Sequence, residues 1–443
     1  MRKWVILGVF ALMPFVFVTP AMAMTIYVDA RNNSGIEDGS IANPYNTIQE
    51  AILAAPLSYS WSASGWPNEV SVAPGTYYGS LEMKQGVRLI SQQGPENTII
   101  DAAGANIAIW PPFGHMPWIQ MNGFTVRNAA RMLIYSVRRA VWANDTANYC
   151  VIDHCILEDS GEDAIYANDK SILRISNTLV RNVRNGVRAY GSWLPEFQNL
   201  TIDNAETAFF MVTTNGAVTL NNTTISNVAV PFYIHVPYLK NFYPTRLVGS
   251  NNNFYNVAEP YLHWHTTSQL PSDELVASTA LDPLFVDLLK QDYRLQPGSP
   301  LVDAGIDLGG PYYGNAPDVG AFEYDSRTID ERLADLTESF QEVPVEEFKE
   351  IGERRRDAFH QKLGVIHKKL AEISAGLPAQ ETAAIYAECL DKLSNDILPK
   401  VDGFFGGNPN NDWIVSFEEQ NLLYPQITAL IAAIGDLAGP RIQ

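Results

Sequence analysis

The chain has 443 residues, with 30 Lys and Arg against 49 Asp and Glu, for a net charge of -19. So acidic a chain is a poor partner for nucleic acid or an anionic membrane. Three cysteines, Cys150, Cys155 and Cys389, are too few for a disulfide framework; Cys150 and Cys155, on one strand region, are expected to point to opposite faces and stay unbridged.

The N-terminus reads as a secretory signal over residues 1–23. Arg2 and Lys3 give the basic start, Val5 to Val18 the apolar stretch, and Ala21-Met22-Ala23 the cleavage site. No later run is long and apolar enough to span a bilayer. The expectation is an exported protein, secreted or at the cell surface. Thr25–Asp29 then predicts a strand. Thr47 to Ala55 predicts a helix, with capping-box spacing at Thr47 and Glu50 and one apolar face of Ile48, Ala51, Ile52 and Ala55. Such a helix covers the open first edge of a stacked sheet. Val70–Met83, Val87–Gln93 and Thr98–Gly104 predict further strands.

From Trp118 to Asn256 the chain repeats. The segments closing at Asn128, Asp159, Asn182, Asn204, Asn227 and Asn256 lie 22 or 23 residues apart, or 29 to 31 where a loop is inserted. Two residues before each stands an apolar residue: Val126, Leu157, Val180, Ile202, Ile225 and Phe254. Five before stands a second polar column: Asn177, Asn199, Asn222 and Asn251, with Gly123 and His154 in the first two turns. A fixed period of this length means one unit stacked on itself. The units are short, β-branched and Asn-rich, so the prediction is a parallel β-solenoid, one turn per repeat, over 24–325. Stacked Asn amides hydrogen-bond to each other at each bend.

The run YVDA…DGS…NPYNTIQEAI…VSVAPGTYYGSL…VRLIS…TIIDA resembles the N-terminal part of the pectin-lyase-like superfamily of right-handed parallel β-helix proteins. The segment DPLFVD…DYRLQPGSPLVDAG…PDVGAFEY resembles the last turn of many secreted bacterial members. Val151–Asn177 further resembles the pectate lyase stretch W-[IV]-D-H, D-G-x-x-D and V-T-[IV]-S-x-N. In that family acidic residues hold calcium and an arginine removes the proton next to the uronate carboxylate. The resemblance implies Asp153 and Asp163 as metal ligands, with Glu162 adjacent; Ala164 and Ala167 replace a glycine and the second aspartate. The family's R-x-P-x-x-R is absent. Its nearest trace, FYPTR, makes Arg246 the candidate proton-abstracting base, with Phe242 in place of the first arginine.

Four arginines, Arg174, Arg181, Arg184 and Arg188, fall within about one turn. They form a candidate stripe for carboxylates or sulfates, of which Arg181, Arg184 and Arg188 are taken as substrate-binding. Aromatic-rich insertions, including Tyr59 to Trp66, Trp110 to Trp118, Trp193, Phe242-Tyr243 and Trp264, predict wall loops on which sugar rings stack; Trp193 and Trp264 are the candidates named for that role.

From Ser326 the apolar spacing turns helical and predicts a bundle over 326–400. Asn408–Glu419 reads as an EF-hand-like loop, with Asn408, Asn410, Asp412, Ser416 and Glu419 as calcium ligands and Trp413 where glycine is usual. A terminal helix completes 401–443. Two functions stay open. One is a polysaccharide lyase-like protein that binds an acidic glycan, its cleavage by β-elimination being left open, with calcium as the implied cation. The other is a non-catalytic surface, adhesion or structural protein with the helical domain as a protein-docking module.

Overall fold

A computed structural model describes residues 24–56, 68–111, 118–137, 148–168, 171–191, 193–212, 217–235, 246–258, 262–264, 275–373, 377–403, 407 and 410–438. The expected signal peptide lies outside them, as does the whole Tyr59–Trp66 insertion.

The repeat folds as a parallel solenoid with three walls, and the two polar columns are its corners. The first wall holds register Asp153↔Ser176↔Gln198↔Asn221↔Ser250. The second holds Glu158↔Arg181↔Asp203↔Ser226. The third holds Tyr135↔Tyr166↔Arg188↔Phe210↔Tyr233. Strand Ser171–Tyr190 runs through all three, as does Trp193–Val212.

The corners explain why the columns are Asn, Asp, His or Gly. Between the first and second walls His154, Asn177, Asn199, Asn222 and Asn251 have φ of 48° to 54°, and Gly123 has φ 80°. Between the second and third walls Asn128, Asp159, Asn182, Asn204, Asn227 and Asn256 have φ of 50° to 59°. A left-handed residue at each corner turns the strand, and short polar side chains tolerate that conformation best after glycine. The side chains then form ladders. Asn177 Nδ2 donates to Asp153 Oδ1 at 2.8 Å, Asn199 to Asn177 Oδ1 at 2.9 Å, and Asn222 to Asn199 Oδ1 at 3.1 Å. On the other corner Asn204 donates to Asn182 at 2.8 Å and Asn182 to Asp159 at 3.0 Å.

Apolar side chains fill the interior. Val126, Leu157, Val180, Ile202 and Ile225 are buried, and Phe209 stacks on Phe232 at 5.5 Å between ring centroids. Cys150 and Cys155 are both buried in this interior as free thiols. That corrects the expected opposite facing: the left-handed corner at His154 re-aims the chain between them. Helix α1 (Ile48–Ala54) starts at Thr47, whose hydroxyl accepts from Glu50 N, and it buries Ile48, Ala51 and Ile52 against the first turns.

The closing segment is not a further turn. Phe285–Asp287 pairs antiparallel with Asp292–Leu295, and the chain then runs back as a strap over the outer face of the second wall. Tyr293 donates to Asp203 Oδ2 at 2.7 Å, Ile306 N to Asn222 Oδ1 at 2.8 Å, and Thr224 Oγ1 to Val319 O at 3.0 Å.

The helical region comprises α2 (Ile329–Glu342), α3 (Gly352–Ile373), α4 (Ala379–Asp391) and α5 (Phe417–Ala438). Thr328 and Glu331 close a capping box on α2. Leu333, Phe340, Phe359, Leu393, Leu430 and Ile434 belong to one buried core. The expected division at residue 400 therefore gives way to a single packed unit. Tyr424 on α5 hydrogen-bonds Gln93, which ties that unit to an early solenoid turn.

Candidate functional site

The three walls differ in what they leave open, and this redistributes the arginine stripe. Two corners, at Asn177 and Asn182, separate Arg174 from Arg188. Arg174 sits on the first wall and pairs with Glu196 at 3.1 Å. Arg184 pairs with Glu206 at 3.1 Å. Arg181 lies on the second wall beneath the strap, where its side chain is 7% exposed; it is ion-paired with Glu158 and donates to Gln291 O at 3.1 Å. Arg181 is thus a structural tie, which corrects its assignment as a substrate-binding residue: the strap covers the face it points from.

Arg188 alone reaches the third wall. Its Nη1 lies 3.5 Å from Asp163 Oδ2, too long for a hydrogen bond, and its guanidinium stands 5.1 Å from the Phe210 ring centroid. Asp163 is 0% exposed and accepts from Asn185 Nδ2 at 2.7 Å. Burial pushes the Asp163 carboxyl above the usual range, against Asn185 and Arg188, which pull it down. Asp163 Oδ2 and Arg188 Nε are buried without a hydrogen-bond partner. Both therefore hold unused hydrogen-bonding capacity just beneath the wall.

Around Arg188 runs a column of half-buried aromatic rings. Tyr135 stacks on Tyr166 at 5.5 Å and 6°, Tyr166 meets Tyr190 at 5.7 Å, Tyr190 meets Phe210 at 6.1 Å, and Phe210 stacks on Tyr233 at 4.4 Å. Burial and the neighbouring Tyr190 and Tyr135 push the Tyr166 phenol up, so its hydroxyl keeps its proton at neutral pH. The rings stack along the solenoid axis and so present their edges and hydroxyls outward.

Reading the sequence by insertions missed this column. The signal is a second offset: Tyr135 and Tyr166 follow their corner residue by seven, whereas Arg188, Phe210 and Tyr233 follow theirs by six. The shift is a register irregularity between Ser160 and Asp163. Gly161 permits it, since a Cβ there would lie 2.1 Å from Ala130 O.

The lyase-like residues part company. Asp153 heads the Asn ladder at a corner, accepting from Ser176 Oγ at 2.7 Å, Asn177 and Asn122 at 2.8 Å, with His154 Nδ1 at 2.9 Å. Burial opposes its ionisation, yet His154, Ser176 and Asn177 together hold its carboxyl below the usual range. Glu162 is bound by Arg131 through two contacts of 3.1 Å. Arg246 begins strand Arg246–Ser250, opposite Ala217, while the Asp153 row reaches that strand at Ser250. Four residues along the strand and four rungs across put the two backbones roughly 20 Å apart. Arg246 and Asp153 therefore do not share one sugar-sized groove, which corrects the paired base and cation-ligand reading. The side chains of Arg246, Trp193 and Trp264 lie outside the described residues.

Among the described residues no three His, Cys, Asp or Glu side chains converge as a metal site. In the EF-hand-like loop Asn408 lies outside them. Asp412 turns inward and accepts from Gly403 N at 3.1 Å and Gln420 Nε2 at 3.0 Å. Ser416 Oγ accepts from Glu419 N at 3.3 Å, as a helix cap for α5 would, and Trp413 packs on Phe359 at 5.0 Å. Lys349 Nζ sits 3.5 Å from Asn410 O. Asp412, Ser416 and the Asn410 carbonyl thus already have partners of their own. This loop does not fit a calcium shell, and the position taken by Trp413, normally glycine, is the physical reason: the indole anchors the loop in the helical core.

Residues 119–269 match the family described as right handed beta helix region. No curated protein matches the sequence. Among solved structures, pectate lyase Pel9A is similar at 14% identity and a TM-score of 0.37, over 69% of this chain and 97% of that one. Pectin methylesterase PemA from Erwinia chrysanthemi is similar at 13% identity and a TM-score of 0.35, over 59% and 90%. No described helix is long and apolar enough to cross a membrane. The chain folds as a right-handed parallel β-helix, the region that the family match covers in part, followed by a helical region.

Proposed function

We propose that this is an exported carbohydrate-binding solenoid whose third wall receives an acidic polysaccharide. The observation that carries the reading is the outward column of Tyr135, Tyr166, Arg188, Phe210 and Tyr233. Its rungs repeat at about 4.8 Å, the strand spacing, so a linear polymer laid along the axis meets a regular series of hydroxyls and ring edges. The guanidinium of Arg188 offers a carboxylate a fork of donors. Arg174 on the first wall is neutralised by Glu196 and Arg181 on the second lies beneath the strap, which favours the third wall as the receiving face. No elimination step is assigned, because its two key residues stand on different parts of the first wall. The protein acts by binding, as an adhesion or glycan-recognition module does.

Calorimetric titration of the full chain with an oligouronate tests this. Arg188→Ala is expected to weaken binding about 10- to 100-fold, from the 1.5–3 kcal/mol of a charge-assisted hydrogen bond. Tyr166→Phe removes one hydroxyl and is expected to weaken it by roughly fivefold. An unchanged melting temperature shows that each variant is folded. Native affinity in both folded variants, or no binding by the unmodified protein, overturns the reading.

A further inference from the structure

We propose that the tip of the closing hairpin is an interface between two copies of this chain. The strand Phe285–Asp287 and its flanks are apolar on both faces. Phe285 turns inward and meets the Tyr293 ring at 5.1 Å between centroids, against the small core of Leu295, Leu301 and Val319. Leu284, Val286 and Leu288 alternate with it and lie on the surface. Leu289 at the tip is 98% exposed, and among the described residues no large apolar side chain is more so. A strand face turned to water is ordinarily polar. A contiguous apolar stripe of this kind marks a contact site.

The tip is ordered in advance. Asp287 Oδ1 accepts from Leu289 N at 3.0 Å and from Lys290 N at 3.2 Å, which closes a short helical turn over Leu288–Lys290. Gln291, left-handed at φ 62°, is fixed from below by Arg181, which donates to its O at 3.1 Å and its Oε1 at 2.8 Å. Docking here therefore immobilises little that is not already held. The sequence of the tip identifies the occupant. Asp287-Leu288-Leu289-Lys290 is its own complement when laid antiparallel: Leu288 meets Leu289, and Asp287 meets Lys290. A two-fold axis passing between Leu288 and Leu289 makes each contact twice, as in isologous interfaces. Charge points the same way. Copies of a chain with net charge -19 repel on approach. The hairpin sets two cations, Lys290 and Arg294, against two carboxylates, Asp287 and Asp292, at 3.1 and 2.6 Å. The Lys290 side chain is 82% exposed and can face Asp287 of the second copy as well as its own. This contact uses no residue of the third wall.

Sedimentation equilibrium of the full chain, from about 1 to about 200 µM, tests this. A monomer–dimer equilibrium with a micromolar dissociation constant is expected, since the apolar contact is small. Leu289→Asp is expected to weaken it at least about 30-fold, as the loss of a central anchor does. Leu289→Met keeps an apolar side chain of similar volume and is expected to retain the dimer. Lys290→Glu sets like charges face to face twice. It is expected to weaken the dimer about tenfold at low salt, with part of the loss recovered at about 1 M salt. A native circular dichroism spectrum shows that each variant is folded. A chain that stays monomeric at about 200 µM overturns the inference and leaves the stripe to a different partner. A dimer undiminished in both Leu289→Asp and Lys290→Glu also overturns it, since the copies then meet elsewhere. Neither result touches the glycan-binding reading.

Discussion

Replacing Asn199 with leucine is expected to destabilise the solenoid by about 3 kcal/mol. Two effects add. The residue sits at φ 51°, where a larger non-glycine side chain costs roughly 1–2 kcal/mol. Its amide also receives from Asn222 and donates to Asn177, so both neighbours lose a partner, at about 1–3 kcal/mol. Asn199→Gly keeps the conformation and loses only the ladder, so it is expected to fall between native and Asn199→Leu. Asn33, exposed in the first loop, is expected to tolerate leucine within about 0.5 kcal/mol. Urea denaturation of the three variants checks the order. Equal midpoints for Asn199→Leu and Asn33→Leu would show that the corners do not carry the fold.

The larger effect is expected under the strap. Glu158 and Arg181 form an ion pair with side chains 8% and 7% exposed, and Arg181 also stands 5.4 Å from the Tyr293 ring. Glu158→Ala leaves a buried guanidinium with only Gln291 to satisfy it. Breaking such a pair costs about 3–5 kcal/mol, whereas replacing both members with apolar residues of similar size is close to neutral. Glu158→Leu combined with Arg181→Met is therefore expected to recover most of the loss. Limited proteolysis adds a local readout: Glu158→Ala is expected to expose the strap around Leu288–Lys290, where Leu289 is already 98% exposed. A double variant no more stable than Glu158→Ala would refute the account of Arg181 as a buried tie.

The repeat was legible because a left-handed corner narrows the choice of residue to Asn, Asp, Gly or His, which leaves a column in the sequence. Val126 through Ile225 were legible for a similar reason, since each repeats at a fixed distance before a corner. The helices announced themselves through Thr47 and the spacing of Leu333, Leu336 and Phe340. Which wall stays open was not legible. That depends on the strap, whose contacts with Asp203 and Asn222 join residues 84 to 90 positions apart. The arginines looked like one stripe because sequence distance does not show the corners between them. The aromatic column was hidden by the irregularity between Ser160 and Asp163, which moves it by one residue partway along. Asp412 matched a ligand pattern, but its neighbours Gly403 and Gln420 take both of its oxygens.

The central claim is that the third wall is the binding face. A crystal structure of the full chain soaked with a uronate oligomer carrying a single free carboxylate tests it most directly. The account predicts sugar density along Tyr135, Tyr166, Arg188 and Phe210, with the carboxylate on the Arg188 guanidinium. Density instead at the Asp153 corner, or on the first wall near Arg246, would contradict it.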